Sequence, residues 1–214
     1  MKRLLAFLII GFTVLMTVYS QENYKAETFK AAQMQTKTGA MIVYNGEKHS
    51  FTIDIIGDTI KPTDHPNFIQ VDNGILQASI IPFNTKLDFE NMSTDSQKKN
   101  LLGYMKYELE YDKEQLNSKD LNEKYEFVTL NGKIFLFWTF DMPKSNETIA
   151  KQCTLVTICY DQMLVLNMPV TKGKQTGSLG TYDKIKEYLF STGKTLKLND
   201  QSLDLNKLYY DLKK

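Results

Sequence analysis

Lys133-Ile134-Phe135-Leu136-Phe137-Trp138-Thr139-Phe140 is the stretch that decides the fold. In an extended chain successive side chains point to opposite faces. Phe135 and Phe137 then point one way, and Ile134, Leu136, Trp138 and Phe140 point the other. A strand apolar on both sides is covered on both sides. Directly before it stands Asn131-Gly132, the pair that supplies the two positive φ angles of a type I′ turn. Residues 125–130 and 133–140 therefore read as a β-hairpin.

Working outward, 152–160 and 164–170 form a second hairpin, turning near Asp161-Gln162. Its first strand repeats the two-sided pattern, with Cys153, Leu155 and Cys159 opposing Thr154, Val156 and Ile158. Upstream, Asn45-Gly46 joins 40–44 to 50–56, and Asn73-Gly74 joins 67–71 to 75–82. Hairpins give antiparallel pairing.

The cover for the sheet includes helices, and two segments supply them. Over 94–116, Thr94 and Gln97 fit a capping box, and Leu102, Met105, Leu109 and Leu116 share one face at helical spacing. Met105, Tyr107, Leu109 and Tyr111 also alternate with Lys106, Glu108 and Glu110, as in an edge strand. The run of good helix formers favours the helix. Residues 182–191 form the second helix, with Ile185, Tyr188 and Leu189 as its stripe and Gly193 as its C-cap. The fold class is thus α+β: an antiparallel sheet built from β-hairpins with flanking helices. Residues 40–192 make a single domain. Residues 21–39 precede it as a loose leader or a short helix around 24–35. Residues 193–214 extend it, with a strand at 195–198 and an amphipathic helix carrying Leu205, Leu208, Tyr209 and Leu212.

This element order, with its Asn-Gly turns and aromatic strand, resembles the PsbP-like α/β sandwich, seen also in small envelope proteins of the DcrB type. The resemblance covers about residues 40–192. The segment 130–143 also resembles a recurring segment of uncharacterised exported bacterial proteins. Such domains are mostly non-enzymatic accessory or binding modules, and the resemblance brings no catalytic residue with it.

The N-terminus sets the compartment. Lys2 and Arg3 precede an apolar run from 4 to 18, and Val18-Tyr19-Ser20 puts a cleavage site before Gln21. Residues 1–20 read as a secretory signal peptide, and the apolar run from 4 to 18 is too short for the roughly 20 residues of a comfortable membrane span. The expected product is periplasmic or secreted, with no stable membrane span after cleavage. Cleavage lowers the basic count from 26 to 24 against 25 acidic residues, a net of −1, and Arg3 is the only arginine. A near-neutral chain without arginine has no footprint for nucleic acid and no bidentate fork for phosphate. Cys153 and Cys159 lie on one strand, roughly 20 Å apart at about 3.3 Å per residue, whereas a disulfide spans roughly 4.4–6.8 Å. They read as buried thiols.

No catalytic motif, cofactor motif or metal-ligand spacing is present. His49 abuts a turn. His65 stands between Asp64 and Pro66 in a loop, and with Asp58 and Asp64 it lacks zinc-site spacing. Glycines 173, 177 and 180 lack the Gly-Lys-Ser/Thr ending of a phosphate loop. On the expected helix, Tyr104, Tyr107 and Tyr111 form a stripe largely opposite the leucines. Such a stripe suits a ligand or partner surface, or else covers the helix flanks. The sequence therefore points to an exported, non-enzymatic protein that binds a protein partner or a small apolar ligand. An inhibitor or immunity-type protein is the first alternative. A secreted hydrolase using His65 or the pair Glu108 and Glu110 is the second.

Overall fold

The computed structural model describes residues 24–85, 87–89, 91–173 and 177–213. The expected signal peptide and its Ser20–Gln21 cleavage site lie outside them. The fold is α+β, and the described residues form two antiparallel sheets and three helices. Strands β4 (Ile60–Pro62), β5 (Phe68–Val71), β6 (Gly74–Pro82), β7 (Lys124–Leu130), β8 (Lys133–Asp141), β9 (Ile149–Cys159) and β10 (Gln162–Thr171) form one sheet. Its order is β4-β5-β6-β10-β9-β8-β7. A second sheet joins β1 (Lys30–Thr36), β2 (Gly39–Asn45), β3 (Ser50–Ile56) and β11 (Lys197–Asn199) in the order β1-β2-β3-β11.

The two-sided strand β8 organises everything. Phe135 and Phe137 face a core shared with Cys153, Leu155 and Cys159 of β9, with Phe51, Ile53 and Ile55 of the second sheet, and with Ile185 and Leu189 of α2 (Tyr182–Lys194). Leu136, Trp138 and Phe140 face a second core, closed by Leu101, Met105 and Leu109 of α1 (Thr94–Gln115). One face of the large sheet is thus covered by a helix and the other by a sheet plus a helix. Both cysteines are free and fully buried on the same face, and burial pushes each thiol up to about 12.

Several expectations are corrected. The Lys30–Thr36 part of the leader is a strand, not a helix or a loose segment. Ala32, Met34 and Thr36 are half-buried while Ala31, Gln33 and Gln35 are exposed, a period of two. Ala, Gln, Met and Lys favour helix locally, but the ladder to β2 from Lys30↔Asn45 to Thr36↔Gly39 overrides that preference. The first hairpin leaves the main sheet to build the second one. The C-terminal strand, β11, pairs with β3, and the tail helix α3 (Leu205–Lys213) lies against β1. Tyr209, expected on its apolar face, is exposed.

Of the four turns, Asn131-Gly132 is as the sequence implied, with φ 48° and 77°. Asn45 pairs with Ser50, so the connection is four residues long, closed by Gly46 N donating to His49 O at 2.9 Å. The second turn is Asp72-Asn73, because Val71 pairs with Gly74. Gly74 sits in the strand, where a Cβ would stand 2.8 Å from Met168 Cε. The fourth turn is Tyr160-Asp161, with Cys159 paired to Gln162 and Tyr160 at φ 54°.

The helix termini shift too. Ser93, not Thr94, caps α1 by accepting from Ser96 N, while the Gln97 amide donates to Met92 O. Gly193 lies inside α2, where a Cβ would stand 2.9 Å from Leu130 Cδ1 and 3.0 Å from Leu155 Cδ2. It is a close-packing glycine, and Thr195 is the cap.

Candidate functional site

The tyrosines of α1 do not share one free stripe. Tyr104 packs edge-on against Trp138, with ring centroids 6.0 Å apart. Tyr111 is half-buried, and Tyr107 alone is well exposed, at 45%. Glu108 and Glu110 are not brought together. Glu110 is exposed and pairs with Lys113 at 3.3 Å. Glu108 lies beside Asp112, one turn on. Burial, and then the Asp112 charge, raise its pKa to about 7, and burial raises Asp112 to about 6. His65 is exposed, with its ring edge-on to Phe68. Among the described residues no group of three or more His, Cys, Asp and Glu is placed to hold a metal ion.

His49 is different, because the fold brings it a partner from the leader. Its Nδ1 donates to Glu27 Oε2 at 2.6 Å, and its ring stacks on Tyr160 with centroids 4.1 Å apart. Glu27 Oε1 accepts from Lys48 N at 2.7 Å and His49 N at 3.1 Å. Burial alone would raise the Glu27 pKa; these donors outweigh it and leave the carboxyl below its ordinary value. Asp161 Oδ2 accepts from Tyr24 OH at 2.8 Å and Glu27 N at 2.6 Å, and its Oδ1 accepts from Gln162 Nε2 at 3.0 Å. Tyr160 OH reaches Asp200 Oδ1 at 3.0 Å. A hollow of about 480 Å³ opens here, bounded also by Leu87 and Phe89.

Chemically this corner is a clamp. Each oxygen of Glu27 and of Asp161 already accepts a bond from the protein. Tyr160 is held in the left-handed region, which costs a non-glycine residue about 1–2 kcal/mol, by its stacking on His49 and its bond to Asp200. The corner ties the segment before β1 to two turns of different sheets. No sequence motif announces it, because Glu27 and His49 lie 22 residues apart, and Tyr24 and Asp161 lie 137 apart.

A larger cleft, about 700 Å³, runs beside β7. Its walls are the first turns of α1, at Thr94, Gln97 and Lys98, and the segment leading into the other sheet, at Leu196 and Leu198. Its floor is β7 from Phe127 to Leu130, the following turn, and Lys133 and Ile134 at the start of β8. Lys98 Nζ stands 5.6 Å from the Phe127 ring centroid. β7 is the last strand of its sheet, and β11 is the last of the other. Both strands were legible in the sequence; the cleft that β7 shares with Leu198 of β11 was not.

Among the described residues no helix is long and apolar enough to cross a membrane. No protein-family model, curated protein or solved structure matches the chain.

Proposed function

We propose that this chain is an exported, non-enzymatic binding module, acting in the periplasm or outside the cell, and that its ligand is a protein partner. The carrying observation is the contrast between a filled interior and an open edge. Leu101, Leu136 and Val156 are fully buried between α1 and the sheet, and Phe51, Phe135 and Leu155 between the two sheets. That packing disfavours the smaller alternative, an apolar ligand held between sheet and helix. The cleft beside β7, by contrast, opens to solvent and exposes Tyr125 and Leu198 near it. The polar corner adds support, since its carboxylates are engaged in holding the fold. The likeness of the element order to PsbP-like modules points the same way.

The test is native mass spectrometry of the protein released gently from its own host's envelope fraction. The expected species begins at Gln21 and carries stoichiometric extra protein. Extra mass of a few hundred daltons would replace the partner by a small ligand. An intact N-terminus would replace the exported module by an anchored one. Turnover of a substrate that disappears in His49→Ala or His65→Ala would overturn the non-enzymatic reading.

A further inference from the structure

The two ends of the large sheet differ. β4 has three residues and ends in Pro62, which removes a backbone donor and blunts that edge. β7 has seven residues and no proline. Its pairing with β8 closes through a two-residue turn, with Leu130 opposite Lys133. In such a hairpin the closing pair is hydrogen-bonded and bonding alternates from there. Leu130, Val128 and Glu126 therefore spend their backbone groups on β8. The N–H and C=O groups of Tyr125, Phe127 and Thr129 point away from the sheet, and Phe127 and Thr129 line the cleft. Tyr125 and Phe127 also stack edge-on with centroids 6.4 Å apart, giving this edge an aromatic flank.

We propose that an extended, acidic segment of the partner protein adds to β7 as a further strand and lies in this cleft. The inference rests on the protein-partner reading above. Three features select the occupant. A row of outward backbone donors and acceptors is matched along its length by another extended backbone. The cleft narrows that backbone's route between α1 and β11, where Leu198 offers apolar contact. The charged residues lining it are Lys98 and Lys133, with no carboxylate among the described lining residues. Carboxylates alternating with apolar residues answer that pattern: the apolar side chains face Leu198 and Val128, and the acidic ones face α1 and reach Lys98. With no arginine after Arg3, recognition is by lysine point charges and so is sensitive to salt.

The probe is a capped eight-residue peptide alternating Val and Glu, with its Val/Lys counterpart as control, added to the folded chain from Gln21 onward. Hydrogen exchange is followed residue by residue. The expected result is slowed exchange at Tyr125, Phe127 and Thr129 with the Glu peptide only. Affinity should fall about fivefold for Lys98→Ala, the size of one favourable charge contact, and by less for Lys133→Ala, whose side chain shares the face of Leu130 and Phe135. It should also fall in 0.5 M salt. Thr129→Pro removes an outward N–H at an exposed position without touching a β8 ladder bond, so it should abolish protection while leaving the melting transition near that of the parent. Equal binding of the Lys peptide, protection at other amides only, or no protection at millimolar peptide would each overturn strand addition at β7. A stoichiometric protein complex in native mass spectrometry would survive that failure, and its absence would instead remove the partner reading itself.

Discussion

Glu27 shows how one side chain in a polar leader comes to hold a fold together. Its carboxylate collects donors from Lys48 N, His49 N and the His49 ring, and its side chain is 13% exposed. Glu27→Ala strands those donors and should cost about 2–3 kcal/mol in urea unfolding. Gly46→Ala should act on the same carboxylate, because a Cβ there would stand 2.2 Å from Glu27 Oε1. The double variant should therefore lose less than the sum of the singles; strict additivity would mean that Gly46 matters for another reason. Because the Glu27 pKa is lowered on folding, its contribution is present above 4.5 and fades as pH falls below that. Glu108 has the opposite sign. Its pKa rises from 4.5 to about 7 on folding, so the folded state holds the extra proton and stability falls as pH climbs through that window. Glu108→Gln should flatten the pH 5–7 slope and stabilise the protein at pH 8 by about 1 kcal/mol, a value discounted for its partial exposure. An unchanged slope would place the pH dependence elsewhere, with Asp112 the next residue to replace.

At the scale of elements, α1 separates two readings of one boundary. The sequence pattern allowed a cap at Thr94, but the bond runs from Ser96 N to Ser93 Oγ at 3.2 Å. Ser93→Ala should destabilise by about 1 kcal/mol and Thr94→Ala by much less. The reverse order in thermal melts would move the helix start by one residue. The helix itself was legible because Leu102, Met105, Leu109 and Leu116 recur at helical spacing, although the buried face is centred on Leu101, Met105 and Leu109 and leaves Leu102 and Leu116 half-buried. β8 was legible for the matching reason at period two. β1 was not, because its period-two pattern lies in weakly apolar residues with good helix propensity, and long-range pairing with β2 and contact with α3 stabilise it. The turns fell between these cases. Asn131-Gly132 faces no competing contact among the described residues, so local chemistry decided it. At Asn45-Gly46 and Asn73-Gly74, long-range acceptors, Glu27 for the first and the Asn73 side chain taking Leu179 N for the second, reset the loop by one or more residues.

For the molecule as a whole, the covered central sheet could be read from the sequence, whereas what covers it and what is left open could not. The alternation in β8 and β9 demands two covers, and it does not say that one of them is a second sheet assembled from the leader, the first hairpin and the tail. The clamp at Glu27 and the cleft beside β7 both arise from that assembly, which is why neither has a local signature. The same architecture makes a global prediction about the thiols. Cys153 and Cys159 lie on β9, which is flanked by β8 and β10 and packs into the core shared by both sheets. Exposing either one requires the second sheet and α2 to leave the large sheet, which amounts to losing most of the core. Both thiols should then be silent to a thiol reagent in the native state and react in one step whose denaturant midpoint coincides with loss of the Trp138 signal. Trp138 reports from the other core, beneath α1. Labelling that precedes the Trp138 transition would mean that the two layers come apart independently, with the second sheet detaching while α1 stays docked.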